Sequence, residues 1–249
     1  MPHTPNLDAS LATTTVMPLP SCTRTITAAL AGVGCLAFAM PSAAQPARRT
    51  AEDLQHALQR RYELVLDLSA DFIQTYEGGV LRSRLSEHGH MQMKIPGKMR
   101  WDYLEPERKL MVSDGEQMFL YLPDDEQVML LAVPAEDQAT TPALILAGVG
   151  DFVNDFTAAL DTVQDAPQNS YVLRLTPTRP EPDFEFLTVV LDARSLAITR
   201  LIAYDLQGGV STFLFSNLQE NIDLPDTPFT FEIPRGTEII PIAESAPLQ

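Results

Sequence analysis

The sequence predicts a mainly β fold with some α-helix (α+β), an incomplete, strongly curved antiparallel β-barrel covered by a few helices. About ten segments after residue 66 have strand character, with apolar residues at alternate positions. Short turns rich in Gly, Pro and Asp separate these segments, which favours antiparallel hairpins. Only two segments have helical features, and both are available to cover the concave side of the sheet.

The first 44 residues are expected to be a signal peptide. Residues 26–40 are apolar and uncharged, Arg24 precedes them, and Ser42 and Ala44 are the small residues that a signal peptidase needs. The apolar run is too short to span a bilayer comfortably. Cleavage is therefore expected between Ala44 and Gln45, and the mature protein is expected to be exported.

Both cysteines of the chain, Cys22 and Cys35, lie in this leader, so no disulfide bond is expected in the mature protein. Residues 32–34 lack the large aliphatic side chain that normally stands three positions before a lipidated cysteine. Cys35 is therefore not expected to carry lipid. Met17 is an alternative start of translation.

Residues 45–249 are expected to form a single domain with a substantial core. The net charge of the whole chain is −16, and the leader holds only one acidic and one basic residue, so the mature chain has the same charge. Such a chain is repelled by nucleic acid and by anionic lipid head groups.

The domain is predicted to begin with an amphipathic helix. Thr50 is suited to cap its start, two acidic residues follow in the first turn, and Leu54, Leu58, Tyr62 and Val65 recur at helical spacing. This pattern predicts about four turns.

Strands are predicted on both sides of a second, short helix. That helix is expected over 142–147, because Pro142 suits a first helical position and Gly148 suits an end. The strand pattern covers residues 70–76, 90–95, 99–103, 109–112, 118–122, 128–133, 171–176, 184–191, 197–205, 210–218 and 229–233.

Methionine is concentrated in the first group of strands. Methionine side chains are flexible and polarizable, so they suit a surface that repacks around an irregular apolar ligand, although a Met-rich core has the same pattern. Strand 118–122 is apolar on both faces, which allows one face to line a cavity. All six methionines after the leader lie within residues 91–129: Met91, Met93, Met99, Met111, Met118 and Met129.

The sequence contains few catalytic motifs, and no enzymatic activity and no cofactor are expected. It lacks a Gly-x-Ser-x-Gly motif, a His-Glu-x-x-His motif and a phosphate-binding glycine loop. His88 and His90 lie two residues apart on a predicted strand and could share a metal ion, as in a metal-dependent hydrolase. Exposed histidines on a polar strand face are the commoner explanation of this spacing.

Several segments, taken in order, resemble the periplasmic outer-membrane lipoprotein carrier proteins, the LolA family. The resemblance spans nearly the whole chain after the leader. It rests on ADFIQ at 70–74, GHMQMKIPGKMRWDY at 89–103, LMVSDG at 110–115, FLY at 119–121, TP at 141–142, LRLTP at 173–177 and FTFEIPRG at 229–236.

The resemblance implies a carrier that receives the acyl chains of lipoproteins from an inner-membrane lipoprotein-releasing ABC transporter and delivers them to an outer-membrane receptor. It implies a periplasmic protein, and we expect a monomer. The lid would contain Leu144, Ile145 and Leu146. The lipid cavity is expected to be lined by Phe72, Met91, Met93, Met99, Trp101, Tyr103, Met118 and Leu120.

One position departs from the family pattern. Many members carry an arginine before the proline that ends the second strand, where it latches the lid, but this chain has Ile95 there. A lid held only by apolar contact is therefore expected, unless Lys94 or Arg100 acts as the latch. A lipoprotein-sensing regulatory module is the alternative from a different functional class.

Overall fold

The computed structural model describes residues 49–78, 83–132 and 142–241. The expected leader, its cleavage point, Cys35 and Met17 lie outside these residues. The described residues belong to one compact unit.

Two helices, one 3-10 turn and twelve strands are present in the described ranges. The helices are α1 (Ala51–Tyr62) and α2 (Pro142–Leu146), and the 3-10 turn is Thr227–Phe229. The first six strands are β1 (Asp67–Gly78), β2 (Ser83–Lys94), β3 (Lys98–Glu105), β4 (Lys109–Asp114), β5 (Gln117–Leu122) and β6 (Gln127–Ala132). The others are β7 (Phe156–Leu160), β8 (Ser170–Pro177), β9 (Phe186–Asp192), β10 (Ile198–Tyr204), β11 (Val210–Glu220) and β12 (Glu238–Pro241).

All twelve strands join one open, curved sheet, which confirms the predicted fold class. Their order is β12-β6-β5-β4-β3-β2-β1-β11-β10-β9-β8-β7, so β1 and β11 join the two strand series at the centre. Every pairing is antiparallel except that of β12 with β6.

Strand register places all six methionines after the leader on the same face of the sheet, here called the inner face. One row of cross-strand partners runs Met91, Trp101, Met111, Leu120 and Met129 from β2 to β6. The next row runs Met93, Met99, Ser113, Met118 and Leu131. Both helices pack on this face, since their buried leucines belong to the same apolar cluster as these side chains.

Helix α1 starts as predicted but ends one turn earlier. The Thr50 hydroxyl accepts a hydrogen bond from the Asp53 amide while the Asp53 carboxylate accepts one from the Thr50 amide, a reciprocal capping box. The helix ends at Tyr62, and the Val65 amide bonds to the Tyr62 carbonyl in a tight turn. Val65 is nevertheless buried in the core, which explains why the apolar spacing continues beyond the helix.

The C-terminal segment corrects a second prediction, the strand at 229–233. Phe229 is buried at the end of the 3-10 turn, and the Phe231 ring lies 5.3 Å from Phe119 and 5.6 Å from Tyr121 on the outer face of β5. The alternating aromatic residues therefore pack against a sheet rather than form a strand. Strands β7 and β12 were not predicted, and two adjacent alanines weaken the strand signal of β7.

Candidate functional site: a cavity beneath a short lid

A cavity of about 500 Å³ lies on the inner face. This volume falls within the usual range of ligand sites, roughly 300–1,000 Å³. Its walls are mostly apolar, and α2 contributes Pro142 and Ala143. The other lining residues are Trp101, Tyr103, Met111, Met118, Leu131, Asp183, Ala203, Asp205, Ser211 and Phe213.

Trp101 lies at the centre of an aromatic group beside this cavity. Its ring meets Phe72 edge-on at a centroid distance of 4.9 Å and Phe213 at 5.7 Å, and Phe215 lies 6.5 Å away. The side chain is only 1% exposed, and its indole Nε1–H has no hydrogen-bond partner. Edge-to-face packing fixes the ring orientation, so Trp101 is a rigid part of the wall.

Polar groups of the lining lie together where residues of β1, β3, β10 and β11 contact one another. This part of the cavity wall is here called the rim. The Tyr103 hydroxyl donates to Gln74 Oε1 over 2.9 Å, and the Tyr76 hydroxyl donates to Asp205 Oδ2 over 3.2 Å. Burial raises the pKa of Tyr103 above its ordinary value, so this hydroxyl stays protonated. Amide hydrogen bonds, that of Gly209 first, lower the pKa of Asp205, which keeps a negative charge at this rim.

An ion pair lies next to the same rim. Lys109 Nζ contacts Glu87 Oε1 and lies 4.5 Å from the centre of the Tyr103 ring. The Glu87 side chain is almost fully buried. The part of the wall around Tyr103 is therefore flanked by paired charges and bonded hydroxyls, whereas most of the other lining residues are apolar.

The predicted cavity residues divide into three groups. Trp101, Tyr103 and Met118 line the open cavity. Phe72 packs against Trp101, and Leu120 lies on the same face of β5 without bordering the cavity.

Three predicted lining residues lie in the close-packed core instead. Met93 and Met99 are fully buried, and Met91 is 3% exposed. Met91 and Met93 border, with Leu146, a void of about 10 Å³, which is too small for a ligand. The methionines therefore serve partly as core and partly as cavity wall.

Several lining residues were not predicted. Phe213, Ser211 and Ala203 come from β10 and β11, and Leu131 comes from β6. Alternation along residues 210–218 is a signal that could have placed Phe213 on the inner face, but it does not show that β11 lines the same cavity as β4. Ala203 is small, so it leaves room where a larger side chain would fill the cavity.

The predicted lid residues are buried against the inner face of the sheet. Leu144, Ile145 and Leu146 are at most 5% exposed. The expectation of a purely apolar closure is wrong, because the Gly97 amide donates a hydrogen bond to the Ala147 carbonyl over 2.9 Å. Ile95 does contact the end of the lid, since a Cβ built on Gly148 would lie 2.6 Å from Ile95 Cγ2.

The two alternative latch residues point to the outer face. Lys94 Nζ donates to Asp226 over 2.8 Å and to the Leu224 carbonyl over 3.0 Å. Arg100 makes a bidentate pair with Asp102 at 2.7 and 2.8 Å. Both side chains therefore secure the outer surface and not the lid.

The chain after the lid is tied to α1. The Gln55 side-chain amide donates to the carbonyls of Phe152 and Phe156 over 2.6 and 2.7 Å. The Phe152 amide donates to Gln59 Oε1 over 2.9 Å. The chain six residues after Leu146 is consequently fixed to α1, in addition to the Gly97–Ala147 bond directly after α2.

The two histidines proposed as a metal pair have separate partners on the outer face. His88 Nε2 lies 3.4 Å from Glu105 Oε2. His90 lies between Asp71 Oδ1 at 2.9 Å and the Ser69 hydroxyl at 3.0 Å. The latter spacing resembles a Ser-His-Asp relay, but Ser69 is only 9% exposed and faces away from the cavity. Within the described ranges, no cluster of three or more His, Cys, Asp or Glu side chains is arranged to hold a metal ion.

A family model and individual relatives indicate the same protein family for this chain. The family model described as "Outer membrane lipoprotein carrier protein LolA" matches residues 63–232. The chain belongs to this family. A LolA-family outer-membrane lipoprotein carrier protein of Chromohalobacter salexigens is 35% identical over 205 residues, covering 82% of this chain and 92% of the relative. The carrier protein of Bordetella avium is 30% identical over 220 residues, covering 88% and 99%.

A solved LolA superfamily protein from Nitrosomonas europaea has a TM-score of 0.42 and 14% identity, covering 74% of this chain and 99% of that one. Proteins of the LolA family are carriers and not enzymes, as expected for this chain. Among the described residues no helix has the length and apolar character needed to cross a bilayer.

Proposed function

We propose that this protein is a periplasmic chaperone that shields the acyl chains of lipoproteins in the cavity between the inner face and α2. It would receive them from an inner-membrane ABC transporter and hand them to an outer-membrane receptor. The apolar cavity under a short lid is the observation that supports this role.

The free energy of hydration makes such a cover necessary. Each methylene exposed to water costs about 0.8 kcal/mol, so a lipoprotein with long acyl chains does not stay dispersed in water. A negatively charged carrier is also repelled by anionic membrane surfaces, which favours diffusion between the membranes.

The lid has features that suit loading and release. Helix α2 contains only five residues, and a hydrogen bond from the Gly97 amide secures the residue after it. A cargo with several acyl chains needs more room than about 500 Å³, so loading would displace α2 from the inner face. The flexible methionines Met111 and Met118 would repack around chains of different shape.

Filling the cavity tests the proposal. Ala203→Phe places a ring in the space that Ala203 leaves open, and we expect binding of a synthetic triacylated lipopeptide to fall at least about tenfold, a loss of about 1.4 kcal/mol. Displacement of a hydrophobic dye measures the binding, and circular dichroism checks the fold.

Ala159→Phe is the matched control, because Ala159 is exposed on β7. This variant should bind the lipopeptide like the wild type. Equal binding by the wild type and a folded Ala203→Phe variant would contradict a role of this cavity in acyl binding.

A further inference from the structure

The indole nitrogen of Trp101 is an unsatisfied donor at the proposed lipid site. Nε1 is buried, its ring is part of the cavity wall, and no hydrogen-bond partner lies within reach. Among the described residues, Arg61 Nε and Arg200 Nε are also buried without a hydrogen-bond partner, but neither residue lines the cavity.

Buried tryptophan N–H groups normally have an acceptor, because a donor removed from water without one is unfavourable. The nearest rings, Phe72 and Phe213, offer only their π faces, which are much weaker acceptors than a carbonyl oxygen. Across the strands Trp101 faces Met91 and Met111, whose thioethers are weak acceptors as well.

The hydroxyl donors at the rim already have hydrogen-bond acceptors. The Tyr103 hydroxyl is bound to Gln74 and the Tyr76 hydroxyl to Asp205. A carbonyl that enters the cavity would therefore meet two hydroxyls already in use, whereas the Trp101 indole is free to donate once loading moves the side chains that bury it.

We propose that Trp101 Nε1–H donates a hydrogen bond to an acyl carbonyl oxygen of the cargo. This inference rests on the proposed function and makes it more specific, since the carrier would recognise the carbonyl end of the lipid as well as its hydrocarbon. The chemistry is shared by the esters of a diacylglyceryl group and the amide of an N-acyl group. Beyond the carbonyl, Met118 and Leu131 provide apolar wall for the chain.

A first experiment uses the wild-type protein. Trp101 is the single tryptophan of the chain, so ¹⁵N-labelled protein gives one indole Nε1–H signal. A diacylglycerol with ester links, its dialkyl ether analogue and an N-acyl cysteine amide are added in turn. We expect a downfield proton shift with one or both carbonyl ligands and none with the ether, and the responding ligand identifies the ester or amide as the source. The same shift with all three ligands would overturn the inference.

A second experiment measures affinity by displacement of a hydrophobic dye. One neutral hydrogen bond predicts that the wild type prefers the better carbonyl ligand over the ether by about two- to tenfold. Trp101→Phe keeps an aromatic ring without the donor and should remove this preference. Phe213→Leu is the control, because it alters the same wall without changing a donor and should keep the preference.

The outcomes separate the two proposals. If all ligands displace the dye but the preference is absent, or persists in Trp101→Phe, the role of the indole is wrong while acyl binding stands. If none of the ligands displaces the dye, the proposed acyl-binding function itself fails, and the inference fails with it.

Discussion

Gly97 and Ala147 join the turn between β2 and β3 to the end of the lid through one backbone hydrogen bond of 2.9 Å. The bond needs no particular side chain, so it persists in a chain that has isoleucine at the latch position. Next to it, Gly148 has φ of +76° and lies against Ile95. The closure thus combines one directional bond with close apolar packing.

Gly148→Ala should loosen the lid. The added methyl would meet Ile95 Cγ2 at 2.6 Å, and the left-handed φ costs a non-glycine residue about 1–3 kcal/mol. We expect more binding of a hydrophobic dye to the empty protein. Gly208→Ala is the control, because Gly208 has a similar φ of +80° and open space around it. Similar dye binding by the two variants would show that contact with Ile95 does not hold the lid.

Ile95→Arg should tighten the empty state. Its guanidinium would offer donors to lid carbonyls next to the Gly97–Ala147 bond, and each charge-assisted hydrogen bond contributes roughly 1.5–3 kcal/mol when it forms without strain. We expect lower dye binding and slower release of a bound lipopeptide. Ile95→Lys adds a positive charge without a guanidinium group, so it separates the effect of hydrogen-bond geometry from the effect of charge. If Ile95→Arg leaves dye binding unchanged, the position does not act as a latch in this chain.

Aspartate at Met93 and at Met118 should have different effects. Met93 is fully buried, so Met93→Asp places an uncompensated charge in the core and should lower the free energy of unfolding by more than about 3 kcal/mol. Met118 borders the open cavity, so Met118→Asp should leave a folded protein that binds the lipopeptide at least about tenfold more weakly. Urea unfolding and dye displacement measure the two effects. A stable Met93→Asp variant would show that water reaches this part of the inner face.

Stability should fall in acid as capped turns lose their charge. Hydrogen bonds from the Ser195 amide first, then from the Ser195 hydroxyl and the Arg194 amide, hold the pKa of Asp192 below its ordinary value of 3.8. Because the folded pKa is the lower one, this stabilisation is present above pH 3.8 and is lost as the pH falls through the folded value. Urea midpoints of the wild type and Asp192→Asn should differ at pH 6, and the difference should shrink as the pH falls below 3.8 through the folded pKa of Asp192. A constant difference would contradict the assignment.

The exported protein should begin at Gln45 without lipid. Ser42 and Ala44 provide the cleavage signal, and the residues before Cys35 do not match a lipidation site. Intact mass spectrometry of the periplasmic protein measures both features. A diacylglyceryl adduct on Cys35 would instead indicate an anchored protein.

The sequence predicted the strands and the side chains of their inner face, because apolar and polar residues alternate wherever only one face of a strand is buried. It placed Met118 and Trp101 on the wall for this reason. Alternation does not separate the dry core from the open cavity, and both Met93 and Met118 therefore appeared equivalent. The Gly97–Ala147 bond was not predictable, since it joins backbone groups fifty residues apart and leaves no trace in side-chain identity.

The sheet wall formed by β3–β6 is covered on its outer side by the C-terminal segment, whereas its inner side faces the cavity and α2. Outside it, Phe229 and Phe231 cover the strands, and Lys94 and Lys98 both bind Asp226, which fastens the covering segment to the sheet. This exterior brace makes the wall a stiff shell. Larger cargo must then be accommodated by α2 and the turn after it, so divergence in cargo size among carriers of this build should appear in the sequence of residues 142–150 rather than in the strands.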